Sequence, residues 1–378
     1  MPSDRHQTAP TSRRRYLALA GAAATATATL TAGCTGVARR LRAPSVDWRT
    51  RLDAGYVAGP LAVADGRVVA MAERTPLALD AGSGERLWSD EEAFDRAFAG
   101  PVVVDGVAVV GDDRRAGYRL DGERAWTRDD GRFRPHAAVG GLVVGASDRE
   151  KAGIAAVDPA DGALVWGAAP GDWANDGADA AHDAVAAGPG VVATSFESRL
   201  AGVDADGAVR WTRGPEWDTH GPGRPSLATD GSTVVAASGA VVGVDPTTGA
   251  RRWRTVLPDF AADVALADGT AYVGVEGDTP KVDSWGEPGG VVAFDVGTGT
   301  ERWRTALAAP ARTVGAGAGR VVAGTASGDL VGLDAEGGAL RWRRSVGDDV
   351  FTPPLLASDG VYVAAGRNRA SAVLRLDR

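Results

Sequence analysis

Cysteine occurs once in the 378 residues, at Cys34, so the chain cannot form an internal disulfide. Lysine is nearly absent as well, because Lys151 and Lys281 are the only two among 41 basic residues. Acidic residues number 49, and the formal net charge is −8. This balance excludes the basic surface that nucleic-acid binding requires.

The apolar residues show no helical spacing of 3.6 residues, which excludes a helical repeat protein. A strand–turn–strand unit recurs instead: in one copy Asp245 opens the turn, Gly249 closes it, and a strand centred on Trp253 follows. The Asp side chain accepts hydrogen bonds from backbone N–H groups just ahead of it, and Gly supplies the positive φ of the turn. Seven complete copies are present, namely Asp80 to Trp88, Asp121 to Trp126, Asp158 to Trp166, Asp204 to Trp211, Asp245 to Trp253, Asp295 to Trp303 and Asp334 to Trp342.

Two half-copies lie near the ends of the sequence. Trp48 follows no turn, and no Trp strand follows Asp377. Together they predict an eighth unit, in which the strand around Trp48 pairs with the strand that ends at Leu376. Successive Asp residues of the units are 37 to 50 residues apart, which is the repeat length of a propeller blade.

A second hairpin precedes many of these units. Asp-Gly between alternating apolar residues is a strong hairpin signal, and it occurs at Asp65-Gly66, Asp105-Gly106, Asp268-Gly269 and Asp359-Gly360. Two hairpins per unit make a four-stranded blade. The sequence therefore predicts an all-β, eight-bladed β-propeller whose last blade is closed by the N-terminal strand.

The pattern A-x-D-x-x-[TS]-G-x-x-x-W, seen at residues 78–88 and 293–303, resembles the tryptophan-docking repeat of the pyrroloquinoline quinone (PQQ)-like β-propellers. The resemblance extends over about residues 46–378. It implies that eight of the eleven tryptophans lock neighbouring blades together, and these are Trp48, Trp88, Trp126, Trp166, Trp211, Trp253, Trp303 and Trp342.

Residues 1–33 are predicted to be a signal peptide, because Ser12 to Leu17 resembles the twin-arginine export motif with Arg13 and Arg14 as its arginine pair. The run that ends at Cys34 resembles a lipobox, with Thr31 in place of the usual Leu. We therefore expect export by the twin-arginine route and lipid attached to Cys34.

Residues 34–45 would then be a tether, and residues 46–378 the propeller, at the outer face of the cell membrane. Tether arginines such as Arg42 would lie near anionic lipid headgroups. The acidic, lysine-poor composition and the export signal together resemble a protein of a salt-loving archaeon.

Long connections between blades are candidate binding sites. One carries Trp173, Asp176 and His182, and the next carries Trp217 and His220. They follow consecutive Trp strands, so we expect them on one face of neighbouring blades, as a surface for a protein or glycan partner. The alternatives are a ligand or metal site around the two histidines, for which no known metal-ligand spacing is present, and solvated turns without a ligand.

A third long segment, residues 277–290, carries Trp285 and links the inner and outer strand pairs of its blade. We expect it on the other face of the ring.

PQQ-dependent dehydrogenases share the predicted fold and use Ca²⁺, a catalytic Asp, a stacking Trp and commonly a pair of adjacent cysteines. This sequence has no cysteine pair, its only asparagines are Asn175 and Asn368, and no Asp lies in a matching motif. We therefore expect no catalytic residue, no PQQ and no Ca²⁺. The same family includes a non-enzymatic lipoprotein of the bacterial outer-membrane barrel-assembly machine, and we expect a monomeric binding or scaffold propeller. A PQQ-dependent dehydrogenase using Ca²⁺ is the alternative.

Overall fold

The computed structural model describes residues 42–377 except 92, 96, 149–152, 170–182, 188–189, 195–198, 215–224, 258, 278–288, 351 and 367–370. All of the described strands lie within the unit Arg40–Arg378. Within the described part, 32 strands form eight antiparallel sheets of four strands each, and no helix is present. This confirms the predicted eight-bladed β-propeller.

Seven blades are continuous in sequence, and in each the first strand is innermost and the fourth lies at the rim. Blades 1 to 4 consist of β2 (Val57–Ala64), β3 (Arg67–Ala72), β4 (Thr75–Asp80) and β5 (Arg86–Ser89); β6 (Val102–Val104), β7 (Val107–Gly111), β8 (Arg115–Arg119) and β9 (Arg124–Arg128); β10 (Phe133–Val139), β11 (Leu142–Ser147), β12 (Ile154–Val157) and β13 (Leu164–Ala168); and β14 (Asp183–Ala187), β15 (Gly190–Thr194), β16 (Leu200–Asp204) and β17 (Val209–Arg213). Blades 5 to 7 consist of β18 (Ser226–Thr229), β19 (Val234–Ala237), β20 (Ala240–Val244) and β21 (Arg251–Val256); β22 (Phe260–Ala267), β23 (Thr270–Glu276), β24 (Gly289–Asp295) and β25 (Glu301–Ala306); and β26 (Ala311–Gly317), β27 (Arg320–Thr325), β28 (Asp329–Asp334) and β29 (Leu340–Ser345).

Blade 8 joins the two ends of the propeller. Its strands are β30 (Leu355–Leu356), β31 (Val361–Ala365), β32 (Ala372–Leu376) and, at the rim, β1 (Val46–Arg51). The β1–β32 pairing places Trp48 opposite Arg375, and Asp377 N–H donates to the carbonyl of Ser45 at 3.0 Å. The predicted closure by the N-terminal strand is therefore confirmed. It covers a strand edge that would otherwise be open to solvent.

Alternating strand directions give the ring two different faces. The loop face carries the connections between blades and those between the second and third strands of a blade. The turn face carries the two hairpin turns of each blade. The Asp-Gly pairs at Asp65, Asp105 and Asp268 form turns with positive φ at both residues, as type I′ hairpins require. The turn at Asp359 spans four residues instead, closed by the N–H of Ala357 and the carbonyl of Gly360.

The hydrophobic core lies between neighbouring blades. Val57, Leu77 and Leu79 of blade 1, for example, pack in one buried cluster with Tyr362 and Val373 of blade 8. Strands buried on both faces read as continuous apolar runs, such as β20, in which all five residues are buried. Ring closure and interlocking of the blades therefore depend on the same side chains.

Candidate functional site: blade junctions, loop face and axis

Each repeat tryptophan lies at a junction between two blades. Seven of the eight donate the indole N–H to a backbone carbonyl at the third-to-fourth-strand turn of the next blade, at 2.6 to 3.0 Å. These pairs are Trp48 with Ala81, Trp88 with Leu120, Trp126 with Pro159, Trp166 with Ala205, Trp211 with Pro246, Trp253 with Val296 and Trp303 with Ala335. The corresponding acceptor for Trp342 would belong to residue 378, which lies outside the described residues. The eight repeat tryptophans thus line the junctions, as the resemblance implies.

The turn glycine of the next blade closes over each ring at these seven junctions. At Gly84 and Gly299, φ is +73° and +70°, and an added Cβ would lie about 2.5 Å from the rings of Trp48 and Trp253. No other residue type fits both that φ and that contact. Glycine in the repeat is therefore required twice, by the turn and by the neighbouring tryptophan.

The turn aspartates act as the sequence predicts. Asp245 Oδ1 accepts the N–H groups of Thr247 and Thr248 at 3.0 and 2.9 Å, and Asp295 makes the same turn with Gly297 and Thr298. A hydrogen bond from Arg252, with those from Thr248, lowers the pKa of Asp245 to about 2. These carboxylates stay ionised at neutral pH and serve the fold.

The turn of blade 2 differs from the prediction. Leu120 is the acceptor for Trp88, so Arg119, not Asp121, occupies the position of the repeat Asp. The turn is one residue shorter, with Gly122 N–H donating to the carbonyl of Arg119 at 2.9 Å. The prediction that Asp121 is the repeat Asp was wrong, because Asp121 lies two residues after the repeat position in this shortened turn.

The predicted partner-surface residues Trp173, Asp176, His182, Trp217 and His220 lie outside the described residues, as do Cys34, Arg13 and Arg14. The loops that carry the first five connect β13 to β14 and β17 to β18. Both are connections between blades and start from the loop face.

The expected position of residues 277–290 was wrong. This segment joins β23 to β24, and its described ends lie beside the connection from blade 6 to blade 7. Arg312 Nε is 3.7 Å from Glu276 Oε1, and Leu307 N–H donates to the carbonyl of Gly289 at 2.9 Å. In a four-stranded antiparallel blade, the connection between strands two and three emerges on the same face as the connections between blades. All three long segments therefore start from the loop face.

An aromatic stack that the sequence analysis missed lies on the loop face. Phe98, in the connection from blade 1 to blade 2, is 53% exposed. Its ring stacks on Tyr56 with a centroid separation of 6.4 Å and an interplanar angle of 6°, and the Arg134 guanidinium lies 5.5 Å from its centroid. The Tyr56 hydroxyl donates to the carbonyl of Ala97 at 3.0 Å. This connection escaped notice because the Asp80-to-Asp121 spacing of 41 residues is close to the average and does not indicate a long loop.

Arg134 is itself held in place by a buried carboxylate. Its Nε donates to Asp112 Oδ1 at 3.2 Å, and Asp112 is only 1% exposed. Burial raises the pKa of Asp112, and the charge of Arg134 opposes this shift. Two connections between blades and strand β10 of blade 3 therefore contribute to one ordered aromatic–cation stack, through Tyr56, Phe98 and Arg134.

Near the axis, Asp263 connects three innermost strands. Its Oδ1 accepts from the Ser226 hydroxyl of blade 5 at 3.0 Å, and its Oδ2 accepts from the Val314 N–H of blade 7 at 2.9 Å. The residue as a whole is partly exposed, but the surrounding blades enclose its carboxylate, and this desolvation raises its pKa to about 6. Desolvation outweighs the three hydrogen bonds that favour the ionised form.

The described residues near the loop face do not fit PQQ. A cofactor with three carboxylates needs cations facing it and usually a bridging Ca²⁺. The innermost-strand arginines Arg134 and Arg312 already face carboxylates, Asp112 in one case and Asp349 with Glu276 in the other. Among the described residues, no group of three or more His, Cys, Asp or Glu side chains could hold a metal ion. No helix in that part of the chain is long and apolar enough to cross a membrane.

The geometry defines a class of protein: an eight-bladed propeller built from tryptophan-docking repeats. The family model described as outer membrane protein assembly factor BamB matches residues 43–120, 197–279 and 287–378. These segments make up more than half of the chain, which therefore belongs to this PQQ-like, BamB-type propeller family. No curated protein sequence matches the chain closely enough to count as a relative.

Solved structures share the fold at low sequence identity. BamB from Moraxella catarrhalis is 19% identical with a TM-score of 0.62, over 88% of this chain and 99% of that one. The quinohemoprotein alcohol dehydrogenase from Comamonas testosteroni is 16% identical with a TM-score of 0.68, over 88% of this chain and 76% of that one. The computationally designed protein Ika8 is 15% identical with a TM-score of 0.67, over 86% and 98%. At these identities the likeness concerns the fold alone.

Proposed function

We propose that this protein is a non-enzymatic scaffold propeller that docks a protein partner on its loop face. The observation that supports this most is the ordered stack of Tyr56, Phe98 and Arg134, which keeps a large aromatic side chain exposed. Rigid, exposed aromatic side chains are typical anchors of protein interfaces, because little conformational entropy is lost when they bind. Membership of a family described as an assembly factor agrees with a protein-handling role.

The propeller is held at the outer face of the cell membrane in this proposal. Export would use Arg13 and Arg14, and lipid on Cys34 would provide the anchor. Replacing Cys34 with Ser should abolish membrane retention and leave an uncleaved precursor. Unchanged retention and size would refute the anchor without touching the docking proposal.

Photo-cross-linking tests the docking face. A photoreactive phenylalanine analogue is placed at Phe98 on the loop face, at Trp217 in the sequence between β17 and β18, and at the exposed Val165 on the rim strand β13 as a control. Irradiated membranes should give the same discrete adduct from positions 98 and 217 and none from position 165. Equal adducts from all three positions would indicate contact without specificity and contradict a loop-face site.

The alternative function, a PQQ-dependent dehydrogenase with Ca²⁺, has the support of fold likeness. Titrating the purified protein with PQQ and Ca²⁺ tests it. Specific binding at a hundredfold excess over Kd would stabilise the protein by about 2.7 kcal/mol and raise its melting temperature. We expect no shift and no dye-coupled alcohol oxidation, and a clear shift together with oxidation would replace the scaffold proposal.

A further inference from the structure

The junction between blades 7 and 8 differs from the other seven. There the turn that would cover Trp342 is interrupted, because β32 ends and β1 begins at that point. Of the described glycines, the one that meets Trp342 is Gly332 of its own blade. A cleft of about 420 Å³ opens beside the tryptophan, with Val321, Leu333 and Val361 among its apolar lining residues.

Arginine side chains surround this cleft. Arg42, Arg320 and Arg341 line it, together with Asp334 and Asp377. Arg341 is paired with Asp334, and Asp377 accepts a hydrogen bond from Ser45 while the charge of Arg375 stabilises its ionised form. Arg320 faces Asp334 across the strand pair but forms no ion pair with it in the described structure.

Arg344 adds a further positive charge at the same junction. It lies two residues after Trp342, the position from which Thr255 and Thr305 donate to the turn-glycine carbonyl of the next blade at 2.9 and 2.7 Å. Arg42, Arg320 and Arg344 have no carboxylate partner within the described part of the chain. In a protein of net charge −8, the four arginines at this junction thus outnumber its two lining carboxylates, Asp334 and Asp377, by two.

We infer that this cleft binds the phosphate headgroups of anionic membrane lipids. Arg42 and Pro44 both line it, so the chain that leads to Cys34 leaves the propeller at this point. Seven residues lie between Cys34 and Arg42, so the two Cα atoms are at most about 29 Å apart even when the chain is fully extended. This inference rests on the proposed anchor, which keeps the cleft close to the membrane surface, where phosphates are the abundant anions. Guanidinium groups bind phosphate through paired N–H donors, and Trp342 supplies the amphipathic ring that is favoured at lipid headgroups.

Vesicle binding at low ionic strength tests the cleft without the lipid anchor. The full chain carries Cys34→Ser in every arm, so the contribution of residues 1–41 is common to all proteins. The test variant adds Arg42→Gln, Arg320→Gln and Arg344→Gln. The matched control instead adds Arg74→Gln, Arg86→Gln and Arg251→Gln, which removes the same charge from exposed arginines of blades 1 and 5.

The parent protein should bind phosphatidylglycerol-containing vesicles more tightly than pure phosphatidylcholine vesicles, and added salt should remove the difference. Each arginine near an anionic surface contributes roughly a fivefold gain in affinity, so the test variant should lose on the order of a hundredfold. The control should stay within a few-fold of the parent, and both variants should keep the parent melting temperature.

Equal losses in the test and control variants would overturn the inference, because the effect would then be one of net charge. Equal binding of the parent to both vesicle types would overturn it as well. Loss of lipidation is read separately, from precursor size and membrane retention in cells, so failure of the anchor and failure of the cleft give different results.

Discussion

The type of residue that precedes the repeat tryptophan differs between two regions of the ring. This residue is a β-bulge in every blade, because the neighbouring strand has no partner for it. In blades 4 to 7 the bulge residue is Arg210, Arg252, Arg302 or Arg341, and each forms an ion pair with the turn Asp of its own blade. In blades 1 to 3 it is Leu87, Ala125 or Val165. In blade 8 the charges are exchanged, because the bulge residue is Asp47 and it lies 3.1 Å from Arg375 on the neighbouring strand.

The tryptophan junctions are alike in both regions. Trp126 in blade 2 and Trp253 in blade 5 make equivalent indole hydrogen bonds, and each meets the turn glycine of the next blade, although only Trp253 directly follows an Arg. The buried junction, which is the same with and without the neighbouring arginine, is therefore what stabilises the fold. The exposed ion pair is an optional addition, as expected for charges that water already solvates well.

We expect the largest loss of stability when a junction tryptophan is removed. Trp253→Ala and Trp126→Ala should each lower the free energy of unfolding by about 3–5 kcal/mol, since each removes a large packed side chain and leaves a carbonyl without its donor. Chemical denaturation of both variants measures the cost. If the two losses differ by more than about 1 kcal/mol, the junctions are not equivalent and the division of the ring extends to its core.

Adding a single methyl group at the turn glycine should lower the free energy of unfolding by nearly as much. In Gly299→Ala, strain at φ +70° and overlap with Trp253 should together cost about 3 kcal/mol. Gly269→Ala is the matched control, because φ there is +69° and nothing lies within 4 Å of the added Cβ. Its cost should be only about 1 kcal/mol. Equal losses in melting experiments would mean that backbone strain alone, not the tryptophan contact, makes glycine necessary.

Asp263, which links blades 5 to 7, should make the free energy of unfolding of the protein depend on pH. Its pKa rises from 3.8 to about 6 on folding, so the folded protein holds this proton more tightly than the unfolded chain. The resulting stabilisation is fully present below about pH 4 and is lost as the pH rises to about 6, on the order of 2–3 kcal/mol. Denaturation curves at pH 4 to 7 should show this fall in the parent protein and not in Asp263→Asn. Identical slopes in both proteins would show that Asp263 titrates normally.

The smallest effect should come from the ion pair at the bulge. Arg302→Gln removes the contact with Asp295 and should cost about 0.2–1 kcal/mol at low salt and less at high salt. Arg302 holds the pKa of Asp295 at about 2, so the cost should disappear as the pH falls from about 4 towards 2.

Leu87→Arg is the opposite change, because it places an arginine beside Asp80 in blade 1. It should stabilise the protein slightly and only at low salt. The ion pairs would be essential to the ring if Arg302→Gln lowered the free energy of unfolding by more than the loss of a junction tryptophan does. A large increase in the free energy of unfolding in Leu87→Arg would lead to the same conclusion.

The number of blades, the closure by the strand around Trp48 and the eight junction tryptophans can all be predicted from the sequence. These follow from chemistry that is local in the chain: an Asp that caps its own turn, a glycine that tolerates positive φ, and a tryptophan four residues later. The two half-copies at the ends could be joined because a propeller leaves no strand edge unpaired between its first and last blades.

The positions of the remaining groups depend on how the blades pack against one another. Arg119 replaces the Asp of blade 2, and residues 277–290 start from the loop face. Tyr56, Phe98 and Arg134 come together from two connections between blades and strand β10. Asp263 likewise joins partners 37 and 51 residues away. None of these contacts follows from a repeat, because each depends on which residues of separate blades meet once the ring has closed and water has been excluded between them.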